Sequence, residues 1–128
     1  MKMVLQGLGF GLLMGALMRA PAVTTFLPAY AITVSVMAAL WLGPLLAPSN
    51  GRGFWGEVSV AGVTFTLIAM TMQIIPDFIL LAMGLQIAWS MAHWLYGAGA
   101  VVQRWYPPFA TGANVGLLVA FIIFWWVL

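Results

Sequence analysis

The chain has 128 residues, of which 65% are hydrophobic and 5% charged. A soluble domain is about a quarter charged and about half apolar, so there is too little polar surface here to cover a water-soluble globule, and lipid is the expected solvent for the outside of the fold. The net charge of +2 rests on four scattered cations, Lys2, Arg19, Arg52 and Arg104, which excludes a phosphate-binding patch and nucleic-acid recognition. The absence of cysteine excludes disulfides, thiolate metal sites and iron–sulfur ligation.

The first apolar run covers residues 3–18. It is short for a span, since crossing a bilayer takes roughly 20 residues. Lys2, the apolar run and Ala20-Pro21-Ala22 imitate a cleaved leader, but Arg19 directly before the small residues argues for a retained helix that Pro21 ends. Gly7, Gly11 and Gly15 follow at strict four-residue spacing and line one face. A face without side chains lets another helix backbone come close. The partner is expected to be a helix of the same subunit or a neighbouring subunit, with a pore-lining face as the remaining reading.

The second run covers residues 25–47, with Thr24 or Thr25 as the cap and Pro28 in the first turn. Pro44 and Pro48 mark its end, and Pro48-Ser49-Asn50-Gly51 is a turn signal. The third run covers 57–75 and the fourth 77–97. As one helix the two would be far too long for a bilayer at about 1.5 Å per residue. Pro76-Asp77 therefore predicts a tight helical hairpin. Residues 97–108, with Gln103, Arg104 and two prolines, read as a connection. The fifth run covers 111–128 and repeats the small-residue face more weakly with Gly112, Gly116 and Ala120.

These runs predict an all-α integral membrane protein, a single domain over residues 1–128 built as a bundle of five short transmembrane helices. Five crossings gather Lys2, Arg52, Arg104 and Glu57 on one side and leave Arg19 and Asp77 on the other. The positive-inside rule then places the N-terminus in the cytoplasm, with Arg19 as the dissenter. Trp and Tyr favour the membrane–water interface. Trp41, Trp55, Trp94, Tyr96, Trp105 and Tyr106 fall near one set of helix ends, Tyr30, Trp125 and Trp126 near the other, and Trp89 inside a span. The alternative is four spans, with residues 3–18 interfacial or re-entrant. The expected location is a prokaryotic inner, cytoplasmic membrane.

The fourth run carries a polar stripe, Gln86, Ser90 and His93, whose spacings of four and three put all three on one face. Polar groups in lipid are costly and face protein or water. Thr64, Thr66, Thr71 and Gln73 of the third run are the expected partners across the hairpin. The stripe either fixes packing through interhelical hydrogen bonds or lines a path for a ligand, proton or ion. His93 is the only histidine, so bis-histidine haem ligation within one chain is out, and too few donors surround it for a metal site. Glu57 and Asp77 stand at helix starts, where capping is the default reading and a negative charge complements the macrodipole. On opposite sides they form no catalytic pair, and with neither at mid-membrane a transporter driven through a buried carboxylate is not expected. Arg19 and Asp77 share a side and can contact an ion or headgroups, with Arg19 expected to snorkel.

No nucleophile–base set, phosphate loop or metal motif is visible, so no enzyme, cofactor or metal is expected. Three readings remain. One is a structural or accessory subunit that packs against other transmembrane helices in a hetero-complex. Another is a small homo-oligomeric channel or carrier with its polar path along the fourth helix. The third is binding of a lipid, quinone or pigment near Trp89 and His93.

Overall fold

The computed structural model describes residues 1–19, 23–43, 53–99 and 102–127. All regular structure among them is helical: α1 Lys2–Arg19, α2 Val23–Leu40, α3 Phe54–Gln73, α4 Phe78–Tyr96 and α5 Tyr106–Phe121, which runs on into a π-helical turn, Ile122–Val127. Among the described residues three stretches are long and apolar enough to cross a membrane: Phe54–Gln73, Phe78–Tyr96 and Tyr106–Val127. Lys2–Met18 and Leu27–Leu40 are shorter apolar helices.

Several helix ends differ from the sequence expectation, each for a local reason. Thr24 and Thr25 lie within α2, and Pro28 lies in its interior rather than its first turn. The proposed turn at 48–51 lies outside the described residues. Helix α3 starts a turn earlier than expected because Gly53 takes a left-handed conformation (φ 77°) and serves as N-cap. Glu57 is therefore inside the first turn and not the cap. Asp77 does hold the N-cap position of α4, but its side chain makes no capping hydrogen bond. Helix α5 begins at Tyr106, so the preceding connection is shorter than residues 97–108. Pro107 and Pro108 sit in its first turn, where a missing N–H costs nothing.

Side-chain contacts fix the direction of each helix. Glu57 meets His93 and Thr64 meets Gln86, so α3 and α4 form an antiparallel hairpin about Pro76. Tyr30 reaches Leu117 while Trp41 reaches Tyr106, so α2 runs antiparallel to α5. Helices α1 and α5 are parallel. A Cβ at Gly7 would collide with the Phe109 carbonyl, at Gly11 with the Ala113 carbonyl, and at Gly15 with the Ala120 side chain. From the α5 side, Gly112 lies against Val4 and Gly116 against Leu8. The two backbones touch along this seam, where dispersion and Cα–H···O contacts act in place of side-chain interdigitation. The glycine faces of α1 and α5 are thus occupied by each other within one chain.

The bundle has two ends. The starts of α1, α3 and α5 share one end, here the Lys2 end, with the finishes of α2 and α4. The α3–α4 turn with Asp77 marks the other. Two aromatics expected at the interface are instead core residues. Tyr30 is fully buried, bonds the Leu117 carbonyl at 3.0 Å and packs edge-on to Phe121. Trp41 is only 2% exposed. Trp55, Trp94, Tyr96 and Trp105 are exposed near the Lys2 end, and Trp126 near the opposite end. Toward the Asp77 end the core is mainly apolar, built from Tyr30, Ile68, Ile79, Met83, Leu117 and Phe121, with the buried Thr71 bonded to a carbonyl of its own helix. Toward the Lys2 end it is polar.

Candidate functional site

The polar half of the core is assembled by α3, α4 and α5. Its outermost part is Glu57, 1% exposed, against His93, 7% exposed. Glu57 Oε1 contacts His93 Nε2, and Glu57 Oε2 accepts the Trp89 indole N–H at 2.8 Å. His93 Nδ1 lies 2.9 Å from the Trp89 carbonyl oxygen. A carbonyl only accepts, so Nδ1 must carry a hydrogen. The contact between Nε2 and Oε1 then holds one proton, as imidazolium facing carboxylate or as neutral imidazole facing carboxylic acid. Neither group is left as an isolated charge in a low-dielectric surround.

Aromatic rings enclose this pair. Trp41 stacks on the His93 ring at 4.3 Å with 25° between planes, a geometry that also suits an imidazolium. Trp89 meets His93 edge-on at 4.9 Å, and Tyr106 tilts against Trp41 at 4.8 Å. The connection after α4 closes over the end. Gly99 has φ +74°, and a Cβ there would lie 2.5 Å from Glu57 Oε1 and 2.6 Å from His93 Nε2. Only glycine fits that backbone conformation so close to the pair.

Deeper in, Ser90 is fully buried and donates to the Gln86 carbonyl at 2.8 Å, and its Oγ lies 3.1 Å from Thr111 Oγ1. Gln86, also fully buried, donates from Nε2 to Thr64 Oγ1 at 2.8 Å. Asn114 of α5 is fully buried and donates from Nδ2 to the Ala110 carbonyl at 2.9 Å. Gln86 Oε1 and Asn114 Oδ1 have no hydrogen-bond partner among the described residues. Beyond them the apolar core begins.

The structure therefore brings Gln86, Ser90 and His93 together on one buried face with Thr64 as partner. Thr66 and Thr71 bond carbonyls of their own helix, and Gln73 is exposed. The Arg19 side chain lies outside the described residues, and Asp77 is exposed. Glu57 is the main correction. Read as a helix cap outside the membrane core, it is a buried carboxylate paired across the hairpin. Asn114, Thr111 and Trp41 were also missed. Asn114 had a signal of its own, a lone carboxamide in the apolar run after Gly112. Among the described residues no three His, Cys, Asp or Glu side chains gather in a way that could hold a metal ion.

Compared with family models, with curated proteins and with solved structures, the chain matches none.

Proposed function

We propose that this chain is a small channel or carrier of a prokaryotic cytoplasmic membrane, with five crossings and the Lys2 end facing the cytoplasm. Helices α1 and α2 each have 18 residues, or about 27 Å of rise, near the roughly 30 Å of a hydrocarbon core. Alternating helix directions and the parallel α1–α5 pair favour both termini at opposite faces. The positions of Lys2, Arg52 and Arg104 in the chain favour the orientation.

The observation that carries the transport reading is the one-sided polar column. Glu57, His93, Ser90, Gln86 and Asn114 run inward from the Lys2 end to an apolar wall of Met83, Leu117 and Phe121, beyond which the buried Thr71 is engaged by the Leu67 carbonyl of its own helix. Polar groups used only to fasten helices need no common axis. Here they share one, and its inner end presents two acceptor oxygens without donors. Such a column, covered at the Lys2 end by the Glu57–His93 pair and Gly99 and at its inner end by the apolar wall, suits a gated path.

Flux into proteoliposomes tests this, with Gln86→Leu and His93→Leu against the unaltered chain. Loss of flux in both, in variants that keep the parent's circular-dichroism spectrum and elution profile in detergent, supports the path. Unchanged flux in both removes the column as the route.

A second reading, an accessory subunit of a larger membrane complex, is favoured by the outward face of α3. Val58, Ser59, Gly62, Val63, Thr66 and Leu67 line an open groove of about 430 Å³ there. Small residues on a lipid-facing helix permit close approach by a partner's transmembrane helix. Gly62→Leu would then release a partner that co-purifies in mild detergent, whereas a lone chain in both samples speaks against this reading.

A further inference from the structure

Two carboxamides end the polar column, and their orientation is fixed by their neighbours. The Ala110 carbonyl can only accept, so Asn114 must turn Nδ2 toward it and Oδ1 away. The Thr64 hydroxyl donates to the Val60 carbonyl at 2.8 Å, so it offers Gln86 a lone pair and requires Nε2. Ser90 and Thr111 face each other across α4 and α5. These helices are antiparallel, so one turn toward the Asp77 end leads to Gln86 on α4 and to Asn114 on α5. The two oxygens without partners thus lie at one level of the bundle, both on fully buried side chains.

A buried acceptor left unpaired costs about 1–3 kcal/mol, and two at one level make a recognition element. We infer that Gln86 Oε1 and Asn114 Oδ1 bind a small neutral guest with two donor hydrogens: water, or the amide or hydroxyl groups of a small uncharged solute. Charge selects this class. Among the described residues the only carboxylate in the core is Glu57, which is engaged by His93 and Trp89. A cation at the carboxamides would lack a counter-charge in an apolar surround, and its desolvation would not be repaid. An anion would meet two acceptor oxygens. A neutral double donor satisfies both oxygens and brings no charge. Apolar Met83 and Leu117 lie just beyond, so a guest that stops there gains nothing by going further until the wall opens.

The substrate class rests on the transport reading, and two separate measurements keep the site and that reading apart. The first is water-edited solid-state NMR of the full chain in lipid, read at the side-chain amide groups of Asn114 and Gln86. Water cross-peaks at both are expected, and their absence at both overturns the site. The second is stopped-flow light scattering on proteoliposomes with water, urea, glycerol, sodium and methylammonium as probes. Passage of uncharged probes with exclusion of the two cations is expected. Asn114→Leu should slow them about tenfold, the worth of about one lost hydrogen bond. Cation passage at comparable rates overturns the class assigned.

The melting temperature of Asn114→Leu completes the test and shows whether the variant folds. A guest on Oδ1 predicts a lower melting temperature than the parent. A higher one, as when a truly unpaired oxygen is removed, overturns the site. Water cross-peaks with no flux of any probe support the site while refuting transport. Flux unchanged in Asn114→Leu, without cross-peaks, refutes the site and leaves transport standing.

Discussion

Glu57 and His93 lie 36 residues apart in the chain and close the Lys2 end of the bundle as a pair that shares one proton. The pair is set by the α3–α4 hairpin, and a third bond from the Trp89 indole holds the carboxylate in place. Removing one member strands the other in the core. Glu57→Leu or His93→Leu is expected to lower stability by about 3–5 kcal/mol, whereas the double Glu57→Leu/His93→Leu variant should lose less than either single one. Reversible unfolding in mixed detergent micelles measures all three. A double variant as unstable as both singles combined would show that the two side chains act independently.

Gly99 sets how tightly that end is shut. With φ +74° and less than 3 Å between a new Cβ and both members of the pair, Gly99→Ala must displace the connection or the pair. Its cost should exceed the about 1 kcal/mol of an ordinary unfavourable glycine replacement. Tryptophan fluorescence should also change, because Trp41 and Trp89 both contact His93. Unaltered emission and stability would mean the connection does not sit on the pair.

The α1–α5 seam makes a position-specific prediction. Gly11→Val should destabilise by about 1–3 kcal/mol or more through overpacking, since its Cβ would strike the Ala113 carbonyl. Gly9→Val, on the same helix with nothing within 4 Å of a Cβ, should be close to neutral. Equal effects at both positions would contradict a seam formed within the chain.

Tyr30 is a simpler case. Tyr30→Phe removes only the hydroxyl that donates to the Leu117 carbonyl at 3.0 Å, leaving the edge contact with Phe121 in place. The expected loss is about 0.5–1.5 kcal/mol, toward the lower figure in lipid. A neutral result would mean that Leu117 finds its partner elsewhere in the helix.

Much of this was legible in the sequence, for physical reasons. Unbroken hydrophobic runs announce helices in lipid, Pro76 forces the hairpin, and glycines one turn apart announce a close approach. The stripe of Gln86, Ser90 and His93 follows from helical periodicity alone. The Glu57–His93 pair was within reach: a hairpin turning near residue 75 brings 57 opposite 93 and 64 opposite 86, as the two cross-hairpin bonds do. It was missed because a carboxylate near a helix start has a local explanation as a cap. The placement of Tyr30 and Trp41 was not legible. Whether an aromatic near a helix end faces headgroups or the core depends on which side of the helix its neighbours occupy, and the sequence pattern of α2 is apolar on all sides. The intramolecular use of the glycine face was equally closed to sequence reasoning, because spacing specifies a partner's distance and not its identity.

The polar column itself is tested most directly by thiol accessibility, for which the absence of native cysteine gives a clean background. Single variants Ser90→Cys and Thr111→Cys, which face each other within the polar half, and Ala82→Cys and Leu117→Cys, at the apolar wall, are exposed in sealed vesicles to a small charged thiol reagent from one face at a time. A path gated at the Lys2 end by the Glu57–His93 pair predicts labelling of Ser90→Cys and Thr111→Cys from that face only, as the pair opens, with Ala82→Cys and Leu117→Cys protected from it. Protection of all four from both faces, in variants that remain folded, would contradict a polar path and leave these residues as fastenings between helices.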